Sequence, residues 1–242
     1  MKVRLIIATS ILLLGFATSE AQKKFVPEKQ LTTESNSLNY KLPGKQYYNT
    51  YIPSGTIFLN NEWQDGYLIL KNGDRYDNVS LKYNTFLDEL IHINNRTVSM
   101  IMLDKNTIAE FGFYRKNSEP QSFTKMTFTK TPKGEYFFNT LYSGKLKLVV
   151  WYRSIEEQTT LYKDNYGKLQ NTRFNLYTNY YIIFPGNDFE RFRLKRRSFI
   201  DLFPDNKKDV RRILRKNHIT FSYEEQTIQA VRLVEEALYS DL

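Results

Sequence analysis

The chain has 242 residues, a formal charge of +9, 15% aromatic residues and no cysteine. That length suits one large or two small globular domains. Without thiolates there is no disulfide scaffold, cysteine-ligated zinc site, iron–sulfur cluster or cysteine nucleophile, and His92 and His218 are the whole imidazole complement.

Residues 1–21 read as a signal peptide. Lys2 and Arg4 precede an apolar run over 5–17, interrupted by Thr9, Ser10 and Gly15, and Ser19-Glu20-Ala21 puts small residues where a signal peptidase reads, so cleavage is expected after Ala21. As a helix the run covers about 20 Å, short of the roughly 30 Å hydrocarbon core, and no transmembrane span is expected after cleavage. The expected location is the periplasm or cell surface. Residues 22–45 are polar, without a periodic apolar face, and read as a flexible leader.

Residues 46–198 carry short runs of Tyr, Phe, Val, Ile and Thr between turn residues, the pattern of an antiparallel β domain. Candidate strands are 55–59, 67–70, 76–83, 89–93, 98–103, 108–114, 123–130, 135–142, 146–153, 158–163, 176–184 and 189–194. The turns Lys71-Asn72-Gly73-Asp74, Asp104-Lys105-Asn106-Thr107, Thr131-Pro132-Lys133-Gly134 and Pro185-Gly186-Asn187-Asp188 connect consecutive strands closely. The expected fold class is therefore mainly β: an antiparallel β-meander, barrel or sandwich, with two C-terminal α-helices.

Residues 199–242 read as a helical hairpin packed on the sheet. Pro204-Asp205 opens the first helix, with Val210, Ile213 and Leu214 on one stripe and Asn217 as its cap; Ser222 and Glu225 form a capping box for the second. Packing is expected through Ile213, Leu214, Val231, Val234 and Leu238.

Positive charge collects near this tail. Between positions 191 and 216 eleven basic residues face three acidic ones, a surplus of eight that equals the net charge of the chain beyond residue 21. Two accounts stand. In one, the basic side chains are a solvated face whose stems cover apolar surface. In the other, Arg193, Lys195, Arg197, Lys207, Lys208, Arg211, Arg212 and Arg215 bind an anion, the partner being an anionic envelope component such as a lipid head group or acidic glycan, or an acidic protein. Nucleic acid is not expected for an exported chain. Arg193, Lys195 and Arg197 share a face if the last strand continues that far.

No catalytic motif stands out: G-x-S-x-G, H-E-x-x-H, the Walker-type loop and the glycine-rich dinucleotide turn are all missing. Alternation places His92 on a strand surface opposite Ile91 and Ile93, and His218 falls at a helix end. The adjacent carboxylates Asp88-Glu89, Glu156-Glu157, Glu224-Glu225 and Glu235-Glu236 point to opposite faces wherever the backbone is extended. No catalytic residue, metal ligand or cofactor is assigned. The paired aromatics, among them Tyr47-Tyr48, Phe137-Phe138 and Trp151-Tyr152, fill either a core or a partner-binding surface.

Gly55-Thr-Ile-Phe-Leu-Asn-Asn-Glu-Trp63, Gly66-Tyr-Leu-Ile-Leu-Lys-Asn-Gly-Asp74, Leu81-Lys82-Tyr83-Asn84 and Leu202-Phe203-Pro204-Asp205-Asn206-Lys207-Lys208-Asp209-Val210 resemble exported Gram-negative bacterial proteins of unknown function. In that group a G-x-x-F/Y-L-x-x-E-W start precedes a β-meander, and an L-F-P-D-K-K-K-x-I-type element precedes a final helix. The resemblance covers most of the chain beyond residue 21 except about 115–175. It implies export and fold, and no activity. The functional expectation is an exported non-enzymatic binding module with a basic C-terminal face. The alternatives are a structural or assembly protein of the cell envelope using an aromatic sheet edge, and a hydrolase of unfamiliar type.

Overall fold

A computed structural model describes residues 33–34, 41–49, 51–94 and 98–239. The expected signal peptide and most of the expected leader lie outside the described residues. The chain is mainly β. Its strands are β1 (Thr33–Glu34), β2 (Lys41–Leu42), β3 (Gly44–Gln46), β4 (Gln64–Leu70), β5 (Arg75–Asn84), β6 (Glu89–Asn94), β7 (Ser99–Leu103), β8 (Ile108–Arg115), β9 (Ser118–Phe128), β10 (Gly134–Ser143), β11 (Lys147–Lys163), β12 (Leu169–Phe184) and β13 (Asp188–Phe192). β1 and β2 pair with each other, and the other eleven form one antiparallel sheet in the order β13-β12-β11-β10-β9-β8-β4-β5-β6-β7-β3. Leu42 is buried in a core and Gly44–Gln46 pairs with β7, so the folded body begins several residues before 46.

The meander is interrupted twice: β3 lies beside β7 instead of β4, and β4 lies between β5 and β8, which parts β7 from β8. This order forces curvature. Leu103 and Ile108 are four strand positions apart in the sheet, about 19 Å if it were flat, yet the link between them is folded into a turn by Thr107 N–H donating to the Asp104 carbonyl at 3.0 Å. The sheet therefore rolls up, and the roll encloses a core of Leu68, Tyr83, Leu90, Phe111, Phe113, Phe123 and Phe137. Tyr83 of β5 meets Phe137 of β10 with ring centroids 6.2 Å apart, and Phe111 stacks on Phe123 at 4.8 Å.

Beyond β9 the sheet bends the other way. Phe128 of β9 packs edge-on against Phe189 of β13 at 5.2 Å, within a second core of Phe138, Val149, Trp151, Tyr181 and Ile183 on the opposite face. Lys130 joins the same two edges by reaching Glu190 at 2.7 Å and Asp188 at 3.7 Å. The result is a single antiparallel sheet curled in two opposite senses: the expected mainly β, antiparallel fold is present, and the sheet is not closed into a barrel. Alternation is the cause: Phe123 and Phe137 face one core while Phe128 and Phe138 face the other, so both faces of β9 and β10 are apolar.

The tail covers the remaining face. It has α1 (Arg196–Ile200), a 3-10 turn at Pro204–Asn206, α2 (Lys207–Lys216) and α3 (Glu224–Leu238), one helix more than expected. Phe199, Val210, Leu214, Val231 and Val234, with the partly buried Ile213 and Leu238, pack on Leu148, Ile182 and Phe192 of the sheet. Glu235 of α3 fastens the β10–β11 turn by accepting from the Leu146 N–H at 2.6 Å and from the Tyr142 hydroxyl at 3.1 Å.

Several local expectations are corrected. The 55–59 segment makes only isolated bridges, Gly55 to Phe174 and Phe58 to Asn84, because Gly55 sits at φ +83° and the Thr56 hydroxyl bonds the Phe58 backbone. The separate strands 146–153 and 158–163 are one strand, β11, with a register shift between Gln158 and Tyr162. The capping box does not form. Tyr223 is the residue before α3, and the Gln226 amide oxygen accepts from the Ser222 N–H at 3.1 Å and the Thr220 hydroxyl at 2.7 Å.

Candidate functional site

The expected basic face starts where β13 stops. The strand ends at Phe192, so Arg193, Lys195 and Arg197 do not continue along one strand face. Instead Lys195 N–H donates to the Arg193 carbonyl at 2.6 Å and Arg193 N–H to the Ser198 hydroxyl at 3.0 Å, turning the chain sharply into α1. Phe192 and Phe199 are buried on either side of the turn, which drives the intervening cations outward. Arg191, Arg193, Lys195 and Arg197 then line one groove of about 520 Å³ together with Phe192, Ser198 and Asp201. Among the described residues no ion pair engages these four cations; Asp201 pairs with Lys207 at 2.8 Å.

Asp201 links the groove to α2. Its hydrogen bond from Lys207, reinforced by the fields of Lys207, Arg197 and Arg211, holds its carboxyl below the ordinary value. Arg196 donates to the Arg211 carbonyl at 3.2 Å. Of the eight residues expected to bind an anion, Arg193, Lys195 and Arg197 meet in the groove, while Lys207 and Arg211 flank it through Asp201. Arg212 is tied to Asp209 at 2.7 Å, and Lys208 and Arg215 are exposed on α2 outside the groove lining. Arg191 and Ser198 complete the groove. Sequence reasoning counted Arg191 in the surplus without assigning it contact, because the turn that brings it beside Arg197 has no periodic signature.

A second group of polar side chains sits where β6 meets β10. Asp88 adopts φ +57°, which breaks the alternation expected of Asp88-Glu89. It is 7% exposed and accepts from the Tyr83 hydroxyl and from the Phe137 N–H at 3.3 Å, with the Lys105 ammonium at 2.5 Å. Burial raises its carboxyl above the ordinary value, against the opposing pull of Lys105 and its hydrogen bonds, and burial raises Glu89 as well. Glu89, Lys45 and Lys105 line an adjacent cleft of about 330 Å³, which Asp88 does not line. Asp88 thus staples the β5–β6 turn to β10 across the roll, and only one carboxylate of the pair lines the cleft.

His92 is 6% exposed, not a surface residue: its register partner is Leu81 and its ring faces the same side as Leu90. Its Nδ1 lies 3.1 Å from the Ser80 carbonyl, and burial lowers its basicity. His218 is exposed just past α2, at φ +52°. Among the described residues no three His, Asp or Glu side chains gather as a metal site, and no helix is long and apolar enough to cross a membrane. Compared with protein-family models, curated proteins and solved structures, the chain finds no match.

Proposed function

We propose that the protein is an exported, non-enzymatic binding module that holds an anionic group in the groove between β13 and α1. The observation that carries this reading is the convergence of Arg191, Arg193, Lys195 and Arg197 on one groove without an ion-paired carboxylate of their own among the described residues. Four like charges held together repel, and an incoming anion relieves that repulsion while desolvating the planar guanidinium groups at lower cost than ammonium. Ser198 adds a hydroxyl donor to the same rim. Ligands of this chemistry are phosphorylated lipid head groups, sulfated or carboxylated glycans and acidic protein segments.

The test is retention on immobilised heparin as a function of salt. Arg193→Glu combined with Arg197→Glu is expected to elute at lower salt and to flatten the dependence of log affinity on log salt, since each removed contact takes about one counterion from the slope. Retention that ignores salt, or is the same for this double variant, overturns the reading.

A further inference from the structure

We infer that the tip of the β11–β12 hairpin is a membrane-contacting finger that inserts Leu161, Tyr166 and Leu169 into a lipid surface. This surface is independent of the β13–α1 groove. β10 pairs with β11 only at residues 147–150 and β13 with β12 only at 180–184, so the distal half of the hairpin leaves the body of the sheet. From Asn175 to Leu169 it extends about 20 Å at the strand rise, buttressed on one edge where Ser54 and Thr56 bond Phe174.

The tip is both apolar and rigid. Among the described residues eleven large hydrophobic side chains are exposed, and four of them collect here: Leu161 at 66%, Tyr166 at 81%, Leu169 at 57% and Tyr51 at 48%. The shift between Gln158 and Tyr162 bulges Leu161 out of the ladder. Asp164 fixes the turn: its carboxylate accepts from the N–H groups of Tyr166 and Lys168, both at 2.9 Å, from the Gln170 amide at 3.0 Å and from the Tyr51 hydroxyl. The Tyr51 ring in turn packs edge-on against Tyr166 at 5.4 Å. An exposed turn with this many bonds presents its apolar side chains at little ordering cost.

Shape and charge select the occupant. A narrow convex tip offers far less than the roughly 800 Å² per partner of a stable protein interface, whereas a few apolar side chains suit an insertion depth of about 5–10 Å. Lys163, the register partner of Leu169, and Lys168 next to it stand beside the apolar group and belong to no ion pair among the described residues. Their long stems allow the ammonium groups to meet anionic head groups while Leu169 enters the acyl boundary.

The test uses the whole chain and vesicles of phosphatidylcholine mixed with phosphatidylglycerol. All variants share the 5–17 segment, so its contribution cancels in the comparison. Tyr166→Trp is expected to be quenched by brominated lipid in these vesicles, and to remain quenched at saturating lipid when Arg193→Glu and Arg197→Glu are added. Leu161→Ser with Leu169→Ser is expected to weaken vesicle association about tenfold or more while leaving the thermal transition unchanged, since both side chains are exposed. Absence of vesicle association, association without quenching of the introduced tryptophan, or a concentration-dependent dimer that the Ser pair abolishes would each overturn the inference.

Discussion

His92 illustrates how an ordinary residue becomes a liability through its position. It lies on the core side of β6, where burial holds its imidazole below the ordinary value of 6.5, and the Ser80 carbonyl, an acceptor only, requires that Nδ1 carry the hydrogen. The unfolded chain protonates this ring near pH 6.5 and the folded chain only at lower pH, so the unfolded state holds more protons between the two values. The contribution is therefore fully present above the unfolded value and lost as pH falls. Folding stability measured by urea denaturation should decline from pH 7 toward pH 5 more steeply in the native chain than in His92→Gln, which has nothing to titrate there; identical slopes would show that His92 carries none of the dependence. At the same scale, Asp88, the most buried carboxylate among the described residues, belongs to no sequence motif. Its environment comes from Tyr83, Lys105 and Phe137, positions far apart in sequence that meet only because the sheet curls.

At the level of elements, the beginning of α3 is held by Gln226, whose amide oxygen gathers donors from Thr220 and Ser222, while Glu225 is exposed and makes no cap. Gln226→Ala is expected to lower stability by about 1 kcal/mol, and Glu225→Ala by only a few tenths, in thermal or urea melts; the reverse ranking would restore the capping box. The sequence pattern located most strands because alternating apolar residues mark a sheet with a core, as in 76–83 or 135–142. It missed residues 169–175 of β12 for the same physical reason. A hairpin wet on both faces, with Gln170, Asn171, Thr172 and Arg173 in succession, has no burial to record. The basic surplus was legible as composition, and its gathering into a groove was not, since that depends on the tight turn at Arg193–Lys195 and the burial of Phe192 and Phe199.

For the molecule as a whole, the two opposite curls are not separable units. β9 and β10 supply Phe123 and Phe137 to one core and Phe128 and Phe138 to the other, so loss of either core strips a face from the strands that build its neighbour. Cooperative unfolding follows. The two tryptophans report on different regions, Trp63 beside the first roll near Lys82 and Trp151 inside the second core. In Trp63→Phe and Trp151→Phe, each with a single emitter left, the fluorescence midpoint in guanidinium should coincide with the far-ultraviolet circular dichroism midpoint of the same variant; two separated transitions would divide the chain into independent folding units. The place of β4 between β5 and β8 also bears on biogenesis. When the chain is delivered from its N-terminus, β4 pairs at once with β5 through a tight hairpin but has to wait for some forty further residues before β8 arrives on its other side. Throughout that interval a row of unsatisfied amides beside Tyr67 and Leu68 is open to any passing strand, so the demand for a holdase should be greatest for nascent chains ending before residue 108.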